Sequence, residues 1–140
     1  MRVWFYSSIV SAIFMFALSF ICHGFVLGDF ENLSITLGAH LIKSAVAYLL
    51  LGLIMVVVFN KFKNRLAHKY FGLFVGVIIG LLFYSFILIF GDSFMNSFIY
   101  HSFEKNHILF DYSWQMVEQG LGGLIAARAI LFFGSWKKSI

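Results

Sequence analysis

Residues 37–59 read LGAHLIKSAVAYLLLGLIMVVVF. A single full charge, Lys43, interrupts these positions, and the chain contains no proline. At a rise of about 1.5 Å per residue, the run makes a helix of about 35 Å, longer than the hydrocarbon core of about 30 Å. It therefore predicts a membrane span rather than the buried helix of a soluble domain.

Working outward, the next ten residues, NKFKNRLAHK, carry Lys61, Lys63, Arg65 and Lys69. A second apolar run follows from about Tyr70 to Phe90. Upstream, the polar segment Gly28-Asp29-Phe30-Glu31-Asn32 separates residue 37 from a run over about Val3 to Leu27. A longer connection, residues 91–111, leads to a fourth run from about Tyr112 to Phe133. Backbone groups in lipid must find partners within the protein, so spans are helices or closed barrels. These runs are too long for barrel strands and do not alternate in polarity. The expected fold is all-α: an integral membrane four-helix bundle, one transmembrane domain over residues 1–140. Its spans lie at about 3–27, 37–59, 70–90 and 112–133.

Composition agrees. Of 140 residues, 61% are hydrophobic, 20% aromatic and only 11% charged, against about 25% charged in soluble domains. The spans leave no length for a soluble catalytic domain, which disfavours an enzyme with its active site outside the membrane. The net charge of +4 does not point to nucleic acid, because the basic residues gather where topology requires them. The lone Cys22 excludes an internal disulfide and a cysteine zinc motif. The first run is longer than a signal-peptide core of about 7–15 residues, so it reads as a retained span. A lipoprotein signal ending at Cys22 is disfavoured by Ile21, which stands where a small residue is wanted.

Lys and Arg fix the expected orientation. Arg2, the loop at 60–69, and Lys137 and Lys138 hold most of the basic residues. The other two connections hold Lys105 with Asp29, Glu31, Asp92, Glu104 and Asp111. The positive-inside rule then puts both termini in the cytoplasm, and the simple chain with its Phe, Ile and Lys usage suggests a bacterial inner membrane. The outer connection at 91–111 is rich in aromatics: Phe94, Phe98, Tyr100, Phe103 and Phe110. Its spacing fits a short helix lying in the interface, or an irregular loop with aromatic anchors.

Helices in lipid associate through small residues and polar contacts. Gly72, Gly76 and Gly80 form a row on span three, and Gly122, Gly123 and Ala126 a small-residue face on span four. The row fits a contact within the chain. A homodimer or a larger membrane complex would use the same motif.

The chemically informative residues are the polar ones inside the spans. Counting 1.5 Å per residue from the outer span ends puts Lys43, Tyr84 and Glu118 about 9 Å deep and His23 about 6 Å deep. Gln115 sits just above this layer. It reads in two ways. It is a polar site in the outer leaflet for a small ligand, metal ion or proton, or a buried Glu118–Lys43 ion pair that fixes helix register. His23, His40, His101 and His107 are nitrogen ligands available to a metal, and His23 with His40 to a haem iron. No metal-ligand spacing accompanies them, and no cofactor is required. The expected function is non-enzymatic: a membrane subunit or small-ligand binding module. An oligomeric transporter or channel using the same layer is the first alternative. A metal- or haem-binding redox protein is the second.

Overall fold

The computed structural model describes residues 2–28, 36–68, 70–94 and 105–136. These residues are all helix, turn or short connection. Four α-helices run Arg2–Ser19 (α1), Leu37–Lys61 (α2), Phe71–Phe94 (α3) and Lys105–Trp136 (α4). Three helical stretches are long and apolar enough to cross a membrane: Arg2–Val26, Leu37–Lys61 and Leu109–Gly134. In α3 the described apolar stretch is the shorter Phe71–Phe86.

Local sequence explains most of the boundaries. Helix α1 widens into a π-helical segment, Phe20–Val26. It stops at Gly28, whose φ of 68° suits a residue without a Cβ. Helix α2 starts after Thr36, an N-cap whose hydroxyl accepts from the Ala39 amide at 3.4 Å. A single 3₁₀ turn, Lys63–Arg65, begins the basic connection to α3.

The connection expected at 91–111 is corrected at both ends. Residues 91–94 belong to α3 and residues 105–111 to α4. Neither stretch contains proline, so the hydrogen-bonded ladder continues past the point where hydropathy falls. The middle of the connection, with Phe98, Tyr100 and Phe103, lies outside the described residues, and so does most of the expected interfacial helix.

Helix α4 packs against both α3 and α1, and α2 lies along α1. The buried apolar centre includes Met15, Leu51, Met55, Phe59 and Ala126. Outside, Phe5, Ile13, Phe25, Phe74, Leu82 and Phe132 are each more than half exposed. Inside lie the polar residues Ser7, Ser8, Ser11, Glu118 and Gln119. A soluble protein of this size would not expose so much apolar surface, whereas lipid is a good solvent for it.

Close backbone approach holds the helices together. A Cβ on Gly72 would lie 2.7 Å from the Gly123 carbonyl oxygen and 2.7 Å from the Ala127 methyl. A Cβ on Gly76 would strike the backbone carbonyl of Gln119, and one on Gly80 the Gln119 side chain. The glycine row of α3 is thus spent against α4, antiparallel and in step. On the other side of α4, the Ser11 hydroxyl donates to the Gly122 carbonyl at 2.9 Å. Helix α2 meets α1 where a Cβ on Gly52 would lie 2.6 Å from the Ser8 carbonyl oxygen.

Two contacts align the helix ends. Lys63 sits over the Trp4 ring at 5.5 Å, and the Tyr6 and Phe133 rings lie 6.0 Å apart. The start of α1, the basic connection and the far end of α4 therefore share one end of the molecule.

Candidate functional site

Glu118 and Gln119 lie in the middle of α4 and are both 0% exposed. Neighbouring residues on a helix point about 100° apart, so the two side chains leave α4 in different directions. Gln119 packs against Gly80 of α3. Glu118 has Tyr48 of α2 within hydrogen-bonding reach.

Neutral donors surround the Glu118 carboxylate. The Trp114 indole donates Nε1–H to Oε2 at 2.9 Å. The Gln119 amide donates from Nε2 to Oε1 at 3.0 Å. The Tyr48 phenol is the third group, itself buried and within reach of Ser19 on α1 and Gln115 on α4. The Gln119 amide also donates to Gln115 Oε1 at 3.4 Å. Gln119 Oε1 is buried and accepts no hydrogen bond. The cluster thus draws on α1, α2 and α4, with α3 as a glycine wall behind Gln119.

The expected ionisable layer is redistributed. Lys43 is an exposed residue of α2, and neutral groups take the place of the expected Glu118–Lys43 ion pair. Tyr84 belongs to a different cluster. Its hydroxyl donates to Asp111 Oδ2 at 3.0 Å, and its ring meets that of Tyr112 edge-on at 4.8 Å. The Ser85 and Tyr112 hydroxyls share a further bond of 3.0 Å. Asp111 stands seven residues before Glu118, about 10 Å along α4. Gln115, between the two levels, joins the Glu118 cluster.

His23 is half-buried in the π-helical segment beyond Ser19, and His40 is half-buried in the first turn of α2. His101 and the side chain of His107 lie outside the described residues. Among the described residues, no three His, Cys, Asp or Glu side chains gather where they could hold a metal ion. A cleft of about 380 Å³ lined by residues Asn60–Arg65 lies at the basic end, about 18 Å along α2 from Tyr48.

Tyr48, Trp114, Ser19 and Gln119 were not among the residues expected from sequence. Trp114 precedes Glu118 by one helical turn, a spacing that puts two side chains on one face. That signal was legible. Tyr48 and Ser19 come from other helices, and no sequence spacing joins them to Glu118.

No protein-family model, no curated protein and no solved structure matches this chain.

Proposed function

We propose that this chain is a small, non-enzymatic membrane protein that crosses the bilayer four times and binds a small ligand at Glu118. In this reading both termini face the cytoplasm of a bacterial inner membrane. Support for the orientation comes from the clustering of Lys and Arg at one end and from the contacts of Trp4 with Lys63 and of Tyr6 with Phe133 at that end.

One observation carries the functional reading. A carboxylate that is 0% exposed is hydrogen-bonded to an indole and an amide, with a phenol in reach. A charged side chain within a membrane is costly and is usually retained for a task. Buried charges are ordinarily paired with an opposite charge or a metal ion. Neutral donors instead hold it in place and leave its charge available to a ligand.

The test is Glu118→Gln, which keeps shape and an acceptor oxygen for Trp114. If Glu118 serves binding, this variant inserts and melts like the parent protein but loses ligand-dependent stabilisation in detergent. A variant that fails to accumulate in the membrane, or melts far below the parent, would assign Glu118 to structure instead.

A further inference from the structure

The ligand class can be read from how the oxygens around Gln119 are arranged, given the binding role proposed for Glu118. Two acceptors, Glu118 Oε1 and Gln115 Oε1, converge on one donor, Gln119 Nε2, at 3.0 and 3.4 Å. The same amide leaves its own buried Oε1 without a hydrogen bond. A buried acceptor in that state is costly, so this arrangement is one donor short.

Turning the Gln119 amide over exchanges its nitrogen and oxygen. Three side-chain oxygens would then face one another: Glu118 Oε1, Gln115 Oε1 and Gln119 Oε1. They repel unless something positive sits between them. The Tyr48 hydroxyl lies within reach of Gln115 and Glu118, and Ser19 within reach of Tyr48. All the candidate ligands are oxygens, the preference of hard cations. The hydrogen-bonded set contains one acidic group, Glu118, so one positive charge balances it.

We infer that the Glu118, Gln119 and Gln115 side chains form a site for a single monovalent alkali cation, with the Gln119 NH₂ group tying the two acceptors together when the cation is absent. A divalent ion would leave an uncompensated charge in the membrane. Binding would turn the Gln119 amide, give its Oε1 the cation as a partner and replace the two bonds of Nε2 to Glu118 and Gln115 by cation–oxygen contacts.

Trp114 reports on the site, because its indole is bonded to the same carboxylate. The experiment uses the full chain in detergent with Trp4→Phe and Trp136→Phe, leaving Trp114 as the sole tryptophan. Sodium or potassium chloride replaces N-methylglucamine chloride stepwise at constant ionic strength, while Trp114 emission and the melting temperature are followed. A saturable change in both is expected. Gln115→Leu should weaken apparent affinity about tenfold, and Glu118→Gln should abolish the response. Should Glu118→Gln not fold, Gln115→Leu carries the test. Equal curves for the alkali salts and N-methylglucamine chloride would overturn the inference. If a proton titration alone then moves Trp114 emission, and Glu118→Gln removes that change, the binding role of Glu118 survives with a different ligand. If neither cation nor proton moves it, both readings fall.

Discussion

The Trp114 indole and the Glu118 carboxylate, one turn apart on α4, are joined by a 2.9 Å hydrogen bond inside the molecule. Their spacing turns a local feature of one helix into the fixed point of a cluster drawn from three. Trp114→Phe keeps the ring but removes the donor. With a buried carboxylate oxygen left short of a partner, stability should fall by about 1–3 kcal/mol. Thermal melting in detergent measures this, and an unchanged melting temperature would show that the bond contributes nothing.

The α3–α4 seam offers a contrast within one residue type. Gly76→Ala would drive a methyl group into the Gln119 backbone carbonyl, which cannot step aside. The helices must separate, at a cost of about 1–3 kcal/mol. Gly38→Ala meets nothing within 4 Å and should leave stability within about 0.5 kcal/mol or raise it slightly. Equal melting temperatures for the two variants would contradict the seam.

Ser11 bonds the Gly122 carbonyl across the α1–α4 contact. Interhelical hydrogen bonds in membranes average about 0.6 kcal/mol and reach about 1.7. Ser11→Ala should therefore destabilise the protein modestly, visible in a reversible detergent unfolding titration. A loss much larger than this range would mean that the hydroxyl does more than bridge two helices.

Tyr84 and Glu118 occupy separate levels of the molecule. Tyr84→Phe breaks the bond to Asp111 but keeps the ring against Tyr112. Stability should fall slightly, while ligand-dependent emission of Trp114 stays as in the parent. Loss of that response would merge the two clusters into one site.

Orientation is open to direct measurement. In a Cys22→Ser background, a single cysteine at position 64 should resist a membrane-impermeant thiol reagent applied to intact cells. A cysteine at position 38, an exposed site in the first turn of α2 where an added Cβ meets nothing within 4 Å, should react with it. The reverse pattern would invert the proposed topology.

How far the sequence could be read differs between fold and site. The start of α2 was legible because the apolar run begins at Leu37, where the helix begins. The glycine row of α3 was equally plain, since only small residues permit backbone contact in lipid. The partner of Tyr84 was not legible: α3 runs to Phe94 and α4 begins at Lys105, beyond the limits that hydropathy marks, and the register between them is set by the glycine contacts, which bring Tyr84 to Asp111 and Tyr112. The sequence offers Glu118 one cation at a similar depth, Lys43, and an ion pair is one of two readings of that layer. The structure supplies an indole, an amide and a phenol, whose donor hydrogens hide in residues usually counted as apolar or uncharged.

Along Gly72, Gly76 and Gly123 the α3 and α4 backbones approach so closely that the two helices are expected to move together. Glu118, Gln119, Gln115 and Trp114 all ride on that pair, and α1 is bonded to it through Ser11 and packed on it at Met15. Opening a route to the carboxylate is then expected to move α2, which carries Tyr48 and touches α4 least. Paired spin labels should find the α3–α4 distance constant between ligand-free and ligand-bound protein, and the α2–α4 distance changed.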